Sequence, residues 1–192
     1  MTTGRPRASS REVLSEAACE LFLERGYHAT SVTDIAARAG VSRSSFFNYF
    51  ESKEAILWSS LDERIERLRA RTPLADPVAG VRDLCDGFAP DSLALALVHA
   101  EAMGVQEELE RAAAVRQARI AQSVRASLLH AGAPPVVAAV AAAAHAGAVM
   151  IAIERWARGG PGRAALSDEL AGALRVAAVT LPAGAGDAAG LD

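Results

Sequence analysis

Residues 42 to 53 (SRSSFFNYFESK) concentrate groups that could recognise a polyanion. Arg43 can donate two parallel hydrogen bonds to guanine, Asn48 can read an adenine edge or bond a phosphate, and Ser42, Ser44 and Ser45 are short enough for close approach to a groove. Between Ile35 and Phe50 there is no acidic residue, while Arg38 and Arg43 lie inside that stretch and Lys53, the sole lysine of the chain, follows it. Arg38 reads equally well as a contact or as a solvated surface charge. The first eleven residues add Arg5, Arg7 and Arg11 without an acid, an arm that could enter a neighbouring minor groove. Because the whole chain carries a formal net charge of -3 and a pI of about 5.8, these cations form a local basic site on an acidic body.

Other reactive side chains form no comparable constellation. Cys19, Cys85, His28, His99, His130 and His145 make no CxxC, HExxH, GxSxG or phosphate-loop pattern, so the reading is not an enzyme, with no metal and no cofactor. The enzymatic alternative is turnover of a bound thioester through His99 or His145. Two distant cysteines and the lack of a signal-peptide pattern point to a reducing, cytoplasmic setting.

The elements that must hold the basic site are helical. No alternating strand pattern of useful length occurs, whereas helix stops and starts recur, so the fold class is all-α. Ser9 with Glu12 makes a capping pattern ahead of Val13, Leu14, Ala17, Leu21 and Phe22, and Gly26 ends that helix. Ser31 with Asp34 opens a second helix that Gly40 stops. Ser42 caps a third, to about Tyr49, and Ser52 starts a long fourth that ends before Pro73. Helix, glycine turn and helix over residues 31 to 50 is the spacing of a helix-turn-helix, with Phe46 and Phe50 in its core. Further helices are predicted at 76–88, 91–104, 106–131, 135–158 and 167–181.

The 192 residues suffice for a small domain joined to a larger one. Seven of the nine aromatics, Phe22 to Trp58, fall in the first sixty residues, leaving Phe88 and Trp156 for the rest. A small core needs such bulk, whereas the Ala/Val/Leu-rich remainder suits closely packed helices or an aliphatic cavity. The predicted organisation is a disordered basic arm at 1–8, a helix-turn-helix domain at 9–51, a connecting helix at 52–72, a ligand-binding and dimerisation domain at 73–181, and a disordered tail at 182–192. Val136 to Ile153 is uncharged over a length that could span a bilayer, but its alanine content, His145 and Gly147 favour a helix buried on most sides of a bundle, with no membrane partner.

The run LFLERGYHATSVTDIAARAGVSRSSFFNYFESKEAIL resembles the DNA-binding domain of TetR-family transcriptional regulators. The likeness rests on the glycine after the first helix, the Thr30/Ser31 cap, the IAxxAGVS turn, the YF ending and the SKE start. The Phe46-Phe47 pair and SKEAILW are similar to the mycofactocin-type subgroup. The resemblance implies double-stranded DNA as partner, with Thr30 and Ser31 at the second helix, Ser42, Arg43, Ser44, Ser45 and Asn48 on the face of the recognition helix, and Tyr49 and Lys53 meeting phosphate. Two positions depart from the family. Ser44 replaces a frequent glycine, and Phe47 lacks the hydroxyl of the usual tyrosine, which places it in the core or against a sugar.

A single short helix reads too few bases to select a genomic site, so two copies are expected about 34 to 36 Å apart on a palindrome. The predicted homodimer surface uses Ala139, Ala142, Ala143, Ala146 and Gly147 with Leu170, Leu174, Ala177 and Leu181. The resemblance also implies a small-molecule effector that releases DNA from a repressor. Candidate lining is aliphatic, with Phe88, Leu93, Leu97, Met103, Val124, Leu128, Val149, Met150 and Trp156, while His99 and His145 could orient a polar head. The subgroup likeness points to acyl-coenzyme A or another apolar metabolite. The alternative of another class is an interaction module that keeps the fold without binding DNA.

Overall fold

The structure, a computed structural model, describes residues 10–160 and 164–180. The basic arm with Arg5 and Arg7, the Ser9 cap, Leu181 and the 182–192 tail lie outside the described residues. The helices are α1 (Ser10–Arg25), α2 (Val32–Arg38), α3 (Arg43–Phe47), α4 (Lys53–Ala70), α5 (Pro77–Cys85), α6 (Ser92–Val98), α7 (Ala100–Met103), α8 (Gln106–His130), α9 (Pro135–Gly159) and α10 (Leu166–Thr180), with no strand among the described residues.

Two compact units emerge, and neither is a simple segment of the chain. The first holds the described residues up to Ser59 together with Asp91–Leu109; the second holds Ser60–Pro90 and the described residues from Glu110 onward. This differs from the sequential boundaries read from the sequence, which place everything beyond 73 in one domain. The reason is packing: α6 and α7 lie against α1, burying Leu93, Ala96 and Met103 in the first unit.

In the first unit, α1 buries Leu14, Ala17, Ala18, Leu21 and Phe22, the one-face spacing of an amphipathic helix. Ile35, Phe46, Ile56, Leu57 and Trp58 complete a core built on large side chains. The span expected as one helix at 91–104 breaks at His99 (φ -111, ψ 24), giving α6 and α7.

The second unit is built differently. Helix α9 buries Ala138, Ala142, Ala146, Val149, Ala152, Ile153 and Trp156 along one stripe, packing on α10 and α5. Small residues let these backbones come close. Arg116, whose side chain is nearly buried, pairs in two-pronged fashion with Asp62 at 2.6 and 3.0 Å, and Arg119 reaches Asp62 and Glu66. Arg64 donates to the carbonyls of Leu84, Asp86 and Gly87, which ends α5 before the predicted residue 88. Among the described residues α9 alone is long and apolar enough to cross a bilayer, and 39% of its most apolar window is buried. It is therefore less enclosed than expected: its other face, with Val136, Val140 and Ile151, is exposed.

Candidate nucleic-acid interface

The site grows out of local caps. The Ser31 hydroxyl accepts from Asp34 N at 3.1 Å while the Asp34 carboxylate accepts from Ser31 N at 2.9 Å, satisfying donors that α2 leaves open. The Ser31 hydroxyl, 2.5 Å from the exposed Asp34 carboxylate, and then Ser31 N hold that carboxyl below the usual carboxylate range. At the far end Gly40 takes φ +69, a conformation costly for other residues, and Val41 N donates back to Ala36 O at 2.9 Å. Ser42 then caps α3, accepting from Ser45 N at 3.1 Å. Behind the turn, Ile35, Ala36 and Phe46 are buried, and Phe46 meets Phe50 with ring centroids 5.8 Å apart.

What remains outward is polar and cationic. Ser42, Arg43, Ser44, Asn48 and Tyr49 are exposed and Ser45 is half-buried. The hydroxyls of Ser44 and Ser45 each lie 2.8 Å from that of Ser42, so the three serines form one small network beside Arg43. Phe47 is 47% exposed, with the Arg43 guanidinium 5.6 Å from its ring centre. The surface position agrees with a sugar-facing reading and not with the core alternative.

Three other cations and caps are engaged internally. Arg38 bonds Glu20 at 3.1 Å and Glu24 at 3.0 and 2.7 Å, and that pairing holds the Glu24 carboxyl below its usual range. Its charge is partly offset by the two carboxylates of α1. Thr30 is 2% exposed and its hydroxyl donates to the Gly26 carbonyl at 2.9 Å, with the Leu21 carbonyl at 3.3 Å, so the side chain expected to contact DNA is engaged within the unit. Lys53 donates to the carbonyls of Tyr27 at 2.6 Å and Thr30 at 3.1 Å. Sequence spacing could not reveal this, because the partners stand 26 and 23 positions away.

The candidate effector residues fall in both units. Leu93, Leu97, His99 and Met103 belong to the first unit, where Leu93 and Met103 are core and His99 is exposed; Phe88, Val124, Leu128, His145, Val149, Met150 and Trp156 belong to the second. There Phe88 and Trp156 pack edge to face at 5.6 Å, and His145 Nδ1 lies 2.6 Å from Ala141 O within its own helix. No group of three or more metal-ligating side chains stands together among the described residues.

A capped helix, a left-handed glycine turn and a second capped helix exposing an arginine, serines and an asparagine define a helix-turn-helix protein. Residues 14–58 match the family model for bacterial regulatory proteins of the tetR family. The mycofactocin biosynthesis regulator MftR of Mycobacterium tuberculosis, a putative assignment in its own name, is 35% identical over 80 residues, covering 42% of this chain and 40% of that protein. The repressor DhaR of a Mycobacterium species is 47% identical over 57 residues, covering 30% of this chain and 29% of that protein. The matched stretch thus spans less than half the length of these relatives. Over nearly the whole chain the fold is that of NalD, a repressor from Pseudomonas aeruginosa, with TM-score 0.54, 19% identity, and coverage of 88% of this chain and 94% of that one. The tetR-family likeness in sequence is thus carried by the helix-turn-helix segment, residues 14–58.

Proposed function

We propose that this chain is a transcriptional regulator that docks α3 in the DNA major groove as a homodimer and loses its operator when an apolar effector binds. The observation that carries the reading is the outward face of α3: Arg43, Ser44, Ser45 and Asn48 stand on a rigid, doubly capped turn in a chain of net negative charge. Arg43, Asn48 and the serines read bases, while Ser31 and Tyr49 meet phosphates. Selection of a duplex from a random pool tests it. Arg43→Ala should weaken the selected duplex by roughly 5- to 150-fold, equivalent to about 1–3 kcal/mol, and relax specificity at one position per half-site. No selected duplex at low salt would overturn DNA recognition and favour the interaction module.

The dimer reading rests on the outward stripe of α9. Val136, Val140, Ala144, Gly147 and Ile151 recur at helical spacing, and with Gly172 and Ala173 of α10 part of this stripe lines an apolar groove of about 620 Å³. A second copy of this chain is the proposed occupant. Of the surface expected from sequence, Gly147 lies on this stripe and Ala177 lines the groove, whereas Ala142, Ala146 and Leu170 are buried within the unit. Ile151→Glu with Ala144→Glu should yield a monomer in sedimentation equilibrium; an unchanged mass would overturn the assignment.

The effector is an acyl-type or other small apolar molecule. This part rests on the aliphatic composition of the second unit and on the family resemblance. Mass spectrometry of molecules retained by the native protein, followed by operator release with each, tests it. Coupling of about 1–3 kcal/mol would lower operator affinity by roughly 5- to 150-fold.

A further inference from the structure

The first turn of an α-helix carries partial positive charge, so a cation there is disfavoured unless other groups compensate. Lys53 is the first residue of α4 and the only lysine among the 20 basic residues of the chain. Its ammonium has two strong acceptors, the Tyr27 and Thr30 carbonyls at 2.6 and 3.1 Å, and lies 4.0 Å from the centre of the Tyr27 ring. Two carbonyl dipoles and an aromatic face thereby replace part of its hydration shell. Burial of the ammonium, the main cause, holds Lys53 below the usual lysine range.

Those two carbonyls frame the turn between α1 and α2. Inside it, Thr30 N donates to Tyr27 O at 3.3 Å and Tyr27 N donates to Met103 O at 2.7 Å. The next residue, Ser31, caps α2, and α2 leads through Gly40 to the Ser42 cap of α3. The ammonium therefore grips the strip of backbone from which the whole recognition element starts. A compact ammonium can direct separate donors to two carbonyls, whereas a planar guanidinium is wider and favours parallel acceptors. Every other basic position of the chain is arginine, so the lysine reflects a demand of this place and not a habit of composition.

We propose that Lys53 is a positioning residue for DNA recognition, closing the Tyr27-to-Thr30 turn to orient α2 and α3, instead of the phosphate ligand that the family resemblance implies. The inference rests on the proposed DNA-binding function and deepens it.

The test compares wild type, Lys53→Arg and Lys53→Met on two probes: the duplex selected from a random pool by the wild-type dimer, and a scrambled duplex of equal length. Both variants should lose roughly tenfold on the selected duplex, the equivalent of one well-placed base contact, yet match wild type on the scrambled one. The slope of log Kd against log KCl on the scrambled duplex should not change. A phosphate ligand behaves otherwise: Arg would retain full affinity, and Met would weaken both probes and make the slope shallower by about 0.9 for each lost contact. That result would overturn the proposal. Should Lys53→Met fold poorly, wild type still decides, because ¹⁵N-lysine labelling places a single side-chain ammonium in the spectrum. The proposal expects this signal to be protected from exchange and unmoved by scrambled duplex; a salt-dependent shift on adding duplex overturns it. If wild type selects no duplex, the functional reading falls and takes this inference with it; if wild type selects one and Arg substitutes freely, this inference alone falls.

Discussion

The two units solve the same problem, burying enough surface to order a chain of helices, with opposite materials. The first uses Phe22, Phe46 and Trp58, each at most 1% exposed, behind short helices whose ends are pinned by side-chain caps. The second uses Ala138, Ala142, Ala146 and Ala152 along α9, where the gain comes from close backbone approach and from many small contacts. Bulk compensates for short elements, and length compensates for small residues. The difference teaches where each unit is vulnerable: the first to lost volume and lost caps, the second to added volume.

The largest effect should follow Phe46→Ala, which removes a wholly buried ring from the first unit and costs about 3–5 kcal/mol. Trp58 and Trp156 fall in different units, so urea unfolding followed by fluorescence in Trp58→Phe and Trp156→Phe backgrounds can assign the loss. An equal midpoint shift at both tryptophans would break the proposed contrast. Next, Ala146→Leu should cost about 1–3 kcal/mol by overpacking, reported first by Trp156. A neutral outcome would mean that the second unit has room where α9 shows none. Ser31→Ala should cost roughly 1 kcal/mol, and a comparable loss in affinity for selected DNA would tie the cap to the interface.

At neutral pH the smallest effect concerns the thiols, one in each unit. Burial pushes Cys19 up to about 11 and Cys85 up to about 12. A thiol whose folded value is raised contributes stability that is present below its unfolded value near 9 and is lost as pH rises toward the folded one. Stability should therefore be insensitive to these groups at pH 7 and decline between about 9 and 12, measured by chemical denaturation in a pH series. At pH 8 neither thiol should react with a disulfide reagent until the protein unfolds. Rapid labelling of one thiol alone would identify the looser unit.

Much of the interface is legible from sequence because its parts are local. Ser31 and Asp34 are three residues apart, Gly40 lies between two apolar stretches, and Ser42 precedes α3 directly; each signal acts within one helical turn. Arg38 illustrates the limit. Its type and place suit a phosphate as well as a carboxylate, and only the tertiary structure brings Glu20 and Glu24 of the neighbouring helix to it. Thr30 resembles a family contact by position but turns its hydroxyl inward to the Gly26 carbonyl, which periodicity does not encode. The candidate effector residues show the same limit: apolar character says that a side chain is buried, not in which unit.

From sequence alone one could read an all-helical chain, the helix-turn-helix and its caps, and the contrast between an aromatic and an alanine-rich half, since these follow from spacing within a few residues. Tertiary structure decided that Asp91–Leu109 joins the N-terminal unit, that α9 turns Ala142 and Ala146 inward while leaving Val140 and Ile151 outside, and that Lys53 spends its ammonium on carbonyls of a distant turn. Each of those outcomes compares the free energy of alternative long-range contacts. A helical period leaves those alternatives nearly equal until neighbouring elements occupy one face and exclude water from it.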